Sequence, residues 1–287
     1  MRIIIYKHEE QSEFSEGIIM NILVTLDSNY VYPLCVMLRS LAETNRDGSF
    51  DIYVAHSSLS ESDFSRIENA LSGVRAQVHP ITVGDGFFEG APKLARTSKE
   101  TYYRLLIGEI LPREVHRILY IDPDTVINKS LDEFYNLDLG GKILAGGTHV
   151  YGIHRKINIT RLKLKKSSCY INAGVMLIDL DKWRQAVTSK IIFDFVSENQ
   201  KKLVLADQDV INVLFEDKML SIDERIYNLD EKTYYYYSLK FFGKDRIDLD
   251  WVRRNTVIIH FNGKHKPWKE KKYRGKLGEY FEKYKNI

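Results

Sequence analysis

The chain has 287 residues, 44% of them hydrophobic and 28% charged, room for one large α/β domain or two small ones and a composition that excludes disordered, collagen-like and disulfide-scaffold classes. No apolar run approaches the roughly 20 residues that a bilayer crossing requires. The formal charge of +3 is uneven: residues 264–287 carry nine Lys/Arg against Glu270, Glu279 and Glu282, a local excess of six that leaves the rest at −3. Cations gathered in one tail do not make a groove-lining footprint, so no nucleic-acid partner is expected.

In chain order, residues 1–19 combine a short apolar start with Glu9, Glu10, Glu13 and Glu16. They read as a leader or an extension outside the fold, because a signal peptide needs a longer apolar stretch. Ile22–Leu26 then reads as a buried strand and Val31–Asn45 as a helix with Leu34, Met37, Leu38 and Leu41 on one face. Phe50–Ala55 is the next strand, Ser60 caps a helix running to about Ser72, and Val78–Val83 is a third strand. Thr101–Glu109 reads as a helix and Arg117–Ile121 as a fourth strand. Beyond them come strands Ile143–Gly147 and Ala173–Asp179, helices Leu180–Gln200 and Asp207–Phe215, and strand Val257–Phe261. Strands separated by helical stretches predict βαβ units and a largely parallel sheet within one domain. Cys35 and Cys169 form no metal or redox spacing and suit a reduced, cytoplasmic protein.

Chemistry concentrates at strand ends, where open α/β sheets bind ligands. Asp122-Pro123-Asp124 follows the strand Ile118–Ile121. Carboxylates two residues apart in extended chain point to one side, and Pro123 holds the intervening backbone extended. Such a pair can offer oxygen ligands to a hard divalent cation, although a solvated turn has the same sequence. His260 ends another apolar strand, followed by Asn262-Gly263-Lys264 and Lys266, a metal ligand beside a loop able to meet phosphate. Asn172 opens a small-residue turn into a strand. Asp207, Gln208 and Asp209 occupy the first turn of a helix, where the macrodipole alone would favour acids.

Together, Thr25-Leu26-Asp27-Ser28-Asn29-Tyr30, Thr101-Tyr102-Tyr103-Arg104, Tyr120-Ile121-Asp122-Pro123-Asp124, Ile171-Asn172-Ala173-Gly174, Asp207-Gln208-Asp209 and His260 through Trp268 resemble glycosyltransferase family 8, the group of glycogenin and bacterial lipopolysaccharide galactosyl- and glucosyltransferases. The resemblance covers residues 20–268. It implies a GT-A fold, a mixed and mostly parallel sheet flanked by helices, and retaining transfer of glucose or galactose from UDP-glucose or UDP-galactose to a saccharide, glycolipid or glycoprotein acceptor. It further implies Mn²⁺, with Mg²⁺ an alternative, on Asp122, Asp124 and His260. Thr25, Asp27, Asn29 and Tyr30 then match the uridine site, Arg104 a residue near the diphosphate and sugar, and Gly263 and Lys266 the phosphate loop. Asn172, Asp207 and Gln208 match positions around the transferred sugar. The resemblance implies Gln208 near the β-face of the anomeric carbon. Because an amide is a poor nucleophile, front-face attack is favoured over a covalent intermediate, with Asp207 as nucleophile the alternative.

Thr148-His149 stands where galactosyltransferases of the family carry an aspartate, which leaves the sugar open. His154–Lys166, with six Lys/Arg and no acid, reads as a solvated loop or a lid for an anionic acceptor. Tyr234–Tyr237 reads as a core edge or an acceptor wall. Two other functions compete: a catalytically weak UDP-sugar-binding stress-type protein, and a nucleotidyltransferase, which the lack of a Gly-rich triphosphate loop disfavours. Residues 269–287 form a basic aromatic tail with Leu277, Tyr280, Phe281 and Tyr284 at helical spacing. That helix either docks on the domain or contacts an anionic membrane from the cytoplasmic side.

Overall fold

The computed structural model describes residues 18–84, 100–239 and 246–286; all but the last two residues of the N-terminal extension lie outside these. Seven strands form the main sheet: β1 (Ile19–Thr25), β2 (Ser49–His56), β3 (Arg75–Thr82), β4 (Arg117–Ile121), β6 (Leu144–Gly147), β7 (Val175–Asp179) and β8 (Met219–Ile222). A separate pair joins β5 (Thr125–Ile127) to β9 (Ile258–His260). The main sheet has the order β3-β2-β1-β4-β7-β6-β8. Every neighbouring pair is parallel except those made by β7, which runs antiparallel to both β4 and β6.

This reversal positions the site. Because β7 runs backwards, its beginning lies at the carboxyl end of β4, with Ile121 paired to Val175. The turn carrying Asn172 and Gly174 therefore meets Asp122. The small sheet supplies the other half, pairing Thr125 with His260 and so laying the end of β9 beside Asp124.

Apolar strand positions and helix stripes fill the space on both faces of the sheet. One cluster gathers Tyr103, Ile107, Tyr120, Met176, Trp183 and Phe215; the other gathers Leu34, Leu38, Ile52, Val54, Leu119 and Phe134. A third cluster covers the small sheet, where Val36, Val126, Ile259 and Phe261 pack with Leu277, Tyr280, Phe281 and Tyr284. The tail thus docks on the domain through a short helix, Gly278–Glu282. Any membrane contact by residues 269–287 rests on their cations, since the apolar face is committed to packing.

Several elements differ from expectation. β1 begins at Ile19, inside the expected extension. The helix expected over Leu180–Gln200 is two, Leu180–Ala186 and Ser189–Asn199, because Val187 is extended and Thr188 caps a new start by accepting from the Ile191 N–H. Thr101–Glu109 is likewise two short helical segments, Glu100–Tyr103 and Ile107–Ile110, with Arg104 in the turn between them. The basic stretch 154–166 is mainly helix, within Gly152–Leu162, and not a loop. Both cysteines are free thiols, and no described helix is long and apolar enough to cross a membrane.

Candidate active site

Asp122 is fixed by its backbone before its charge does anything. Its N–H donates to the Gly174 carbonyl at 2.7 Å, stitching the end of β4 to the start of β7. Its Oδ1 accepts from the Tyr120 hydroxyl at 2.7 Å and pairs with Arg104 Nη2 at 3.0 Å. Thr25 stands behind this arrangement, buried, with Oγ1 2.9 Å from the Tyr120 hydroxyl. In this arrangement Thr25 supports the Tyr120 hydroxyl.

Pro123 and Asp124 form a turn rather than the expected extended chain, and that turn brings the carboxylates of Asp122 and Asp124 to one imidazole. His260 Nε2 lies 3.2 Å from Asp124 Oδ1 and 3.6 Å from Asp122 Oδ2. That nitrogen is buried and close to both carboxylates, yet aligned for a hydrogen bond with neither. One ligand atom from each of the three residues lies within 4.8 Å of the others. Two carboxylates and an imidazole with an uncommitted buried nitrogen fit a divalent cation well. Burial alone would lower the His260 pKa, but the charge of Asp124 and, further off, Asp122 raises it above the ordinary histidine value. Burial would raise that of Asp124, but His260 and Lys266 hold it well below the usual carboxylate range.

Lys266 enters from the loop after β9. Its Nζ donates to Asp124 Oδ2 at 2.6 Å and to the Phe261 carbonyl at 2.7 Å, and lies 5.4 Å from the Trp268 ring centre. Gly263 of the same loop lines a cavity of about 850 Å³ together with His260, Asn262, Tyr235 and Tyr273.

A second cavity, of about 310 Å³, brings together Arg104, Asp122, Asn172, Gly174, Asp207 and Gln208, with Val204 and Leu205 at its rim. Arg104 stands between two carboxylates: Nε is 3.1 Å from Asp207 Oδ2, and Nη1 donates to the Ala173 carbonyl at 3.2 Å. Burial pushes the Asp207 pKa up to about 6, with Arg104 pulling it back and Asp122 adding to the rise. Asn172 Nδ2 donates to Gln208 Oε1 at 3.0 Å. Asp209, the third member of that helical turn, faces the interior. It is fully buried, bound through two oxygens to Arg161 at 2.7 and 2.9 Å, and accepts from the Tyr170 hydroxyl at 2.6 Å. One residue of the basic stretch thus anchors the turn that carries Asp207 and Gln208.

Asp27, Asn29 and Tyr30 occupy a short 3-10 turn after β1, where Asp27 Oδ1 accepts from the Asn29 N–H at 2.8 Å. The Tyr30 ring meets Trp268 edge-on, with centres 6.0 Å apart. Its pKa is pushed up to about 12 by burial, then by the charges of Asp124, Asp122 and Asp27. Thr148 and His149 line neither cavity among the described residues. His149 is buried, donates from Nε2 to the Asn228 carbonyl at 2.5 Å and accepts at Nδ1 from Asn262 Nδ2 at 2.9 Å. Burial lowers its pKa, consistent with a neutral ring. In the tyrosine run, Tyr236 stacks on Tyr151 at 4.4 Å, and Tyr237 donates to Glu224 at 2.7 Å.

Sequence reasoning passed over Tyr120 and Asn228. Tyr120 carried a weak signal, a hydroxyl in an apolar strand two residues before Asp122. Asn228 sits in an unremarkable Tyr227-Asn228-Leu229-Asp230 and carried none.

The sequence model of glycosyl transferase family 8 matches residues 21–272. General stress protein A of Bacillus subtilis is 28% identical over 271 residues, 92% of each chain. The lipopolysaccharide 1,2-glucosyltransferase of Escherichia coli K12 is 25% identical over 253 residues, covering 87% of this chain and 72% of that protein. Among solved structures, the galactosyltransferase LgtC in complex with donor and acceptor sugar analogues superposes with a TM-score of 0.77 at 25% identity, covering 93% of this chain and 95% of that one. The GT-A architecture follows from that likeness together with the mixed sheet and its carboxylate pair. With a match over nearly the whole described fold, the chain belongs to glycosyl transferase family 8.

Proposed function

We propose that this family member is a retaining hexosyltransferase that moves glucose or galactose from UDP-glucose or UDP-galactose to a saccharide, glycolipid or glycoprotein acceptor, with Mn²⁺ at Asp122, Asp124 and His260. The observation that carries the reading is the convergence of that triad on a cavity holding Arg104, Asp207 and Gln208. When bound, the cation supplies Lewis-acid stabilisation of charge on the departing diphosphate. Lys266 brings a second positive charge to the same place, and the loop at Gly263 can add backbone N–H groups. Arg104 lies within ion-pair distance of both Asp122 and Asp207, so the acidic wall of the sugar cavity already holds its countercharge. The asymmetric use of the two acids of Asp207-Gln208-Asp209 supports a sugar site at the first only, since Asp209 is consumed by Arg161.

Retention is better served by front-face attack than by a covalent intermediate. An amide such as Gln208 is a weak nucleophile, and the Asp207 carboxylate is engaged by Arg104. Tyr30 and its turn would meet the base, a reading supported by the Trp268 ring, which contacts both Tyr30 and Lys266. The similarity to a protein named for stress gives a second reading, a UDP-sugar binder without efficient transfer. Arg104 and Lys266, both engaged at the triad, favour transfer.

Incubation with UDP-glucose and UDP-galactose, in Mn²⁺ or in EDTA, tests both. Slow UDP release that depends on Mn²⁺ supports the enzyme. Tight Mn²⁺-dependent UDP binding with no release under any acceptor supports the binder. Metal-independent turnover, or no affinity for any uridine nucleotide, overturns the assignment.

A further inference from the structure

The direction of one backbone N–H fixes the orientation of a whole row of side chains at the site. Gly174 N–H can only donate, and it donates to Asn172 Oδ1 at 3.0 Å. That settles which end of the Asn172 amide faces which way, a choice that is otherwise ambiguous for amides. The same oxygen lies 3.1 Å from Asn228 Nδ2, so Asn228 must present its NH₂ to Asn172 and its carbonyl oxygen elsewhere. That oxygen, Oδ1, meets His260 Nδ1 at 2.9 Å. An oxygen there requires the proton on Nδ1, which in the neutral ring leaves Nε2 as the bare nitrogen facing Asp122 and Asp124. At the other end, Asn172 passes its own NH₂ to Gln208 Oε1 at 3.0 Å.

We propose that Asn228 is a positioning residue, which sets the tautomer of His260 for cation binding and, through Asn172, the orientation of Gln208 at the sugar cavity. The roles of His260 and Gln208 rest on the function proposed above; the direction of the chain does not. Three hydrogen bonds run in one sense through four side chains, His260 donating to Asn228, Asn228 to Asn172 and Asn172 to Gln208. Asn228 is fully buried. Its backbone is pinned by its N–H to the Glu224 carbonyl at 3.1 Å and its own carbonyl to His149 Nε2 at 2.5 Å. It therefore has little freedom to exchange its two ends. Partners that orient a metal-binding histidine in this way typically change metal affinity or activity by about 10–100-fold when removed.

Two substitutions separate the two ends of the amide. Asn228→Asp keeps an acceptor for His260 Nδ1–H but offers Asn172 no donor. Asn228→Leu removes both. The readouts are the His260 tautomer, by ¹⁵N NMR of metal-free protein at alkaline pH where the ring is neutral, and Mn²⁺-dependent UDP affinity and turnover. The expected wild-type ring carries its proton on Nδ1. Asn228→Asp is expected to keep that tautomer and wild-type or tighter affinity while turnover falls at least about 10-fold. In Asn228→Leu the tautomer shifts and affinity falls about 10–100-fold. An Nε2–H ring in the wild type overturns the proposal. So does an Asn228→Asp protein that loses affinity as far as Asn228→Leu, or an Asn228→Leu protein unchanged in both. Should Asn228→Leu not fold, the wild-type tautomer and the aspartate variant still decide. Should the wild type bind no uridine nucleotide, the functional reading fails, and the tautomer measurement judges the chain alone.

Discussion

Gly174 offers the sharpest perturbation, a single added methyl group. A Cβ at this position would lie 2.3 Å from His260 Cε1, 2.6 Å from Asp122 Oδ2 and 3.0 Å from Asn172 Oδ1. Carbon atoms settle at about 3.5–4.0 Å, so His260 alone would have to retreat by about 1.2 Å. The backbone cannot yield instead, because Gly174 is held by the Asp122 N–H on its carbonyl and by Asn172 on its nitrogen. The methyl must therefore spread His260 and Asp122, two of the three residues proposed to hold the cation. Overpacking of this kind costs about 1–3 kcal/mol, a melting-temperature loss of roughly 2–12 °C at about 2–4 °C per kcal/mol for a chain of this size. A displacement near 1 Å at a catalytic centre costs on the order of 10²-fold in rate. Gly174→Ala should thus melt slightly earlier and lose about 100-fold in Mn²⁺-dependent UDP release from the preferred UDP-hexose. Thermal melting and a coupled UDP assay measure the two effects. Wild-type melting with wild-type turnover would refute the geometry. A large loss of stability with intact turnover of the folded fraction would show that His260 and Asp122 are not the groups displaced.

Three further predictions address charge and packing. Because the Asp207 pKa is raised in the folded protein from 3.8 to about 6, the fold binds more protons than the unfolded chain between those values. Its stability therefore declines as pH rises from about 4 to 6, by about 3 kcal/mol in all; Asp207→Asn should abolish this component in pH-dependent denaturation, and an unchanged profile would count against it. Lys266→Met removes a cation that sits on Asp124, so Mn²⁺ alone, followed by electron paramagnetic resonance, should bind more tightly, while turnover falls about 10²–10³-fold through loss of charge stabilisation. Weaker Mn²⁺ binding would reverse the role assigned to the ammonium. Phe281→Ala, at a side chain 1% exposed, should cost about 3–5 kcal/mol by denaturant titration, whereas a tail not packed on the domain would lose almost nothing.

The site was more legible than the scaffold that assembles it. Asp122 and Asp124 could be picked out by their spacing at a strand end, although a turn at Pro123-Asp124, not an extended two-residue period, brings them together. His260 could be suspected from its strand end. What brings these residues together could not be read locally. β5 and β9 have three residues each, too few for any periodicity, and the reversal of β7 depends on which neighbours it finds rather than on its own side chains. The break at Val187-Thr188 was hidden inside an apolar pattern that continues in register on both sides. Arg161 was masked by its own neighbourhood: a run of cations suggests a solvated surface, and only the fold reveals that one of them is spent on the buried Asp209. Asn228 shows the strictest limit, since an amide acquires a role only from the partners at its two ends.

The Lys266–Asp124 contact joins positions 142 residues apart and fastens the loop after the small sheet to the end of the large one. The chain places a cation of its own at that junction. This distinguishes the protein from small metal-dependent folds, in which stripping the ion leaves ligands repelling one another and the chain comes apart. Here an ammonium group already serves as the clasp. If the proposed function holds, a chelator should accordingly silence the protein without unfolding it, and adding Mn²⁺ back should restore function at once, with no refolding step between.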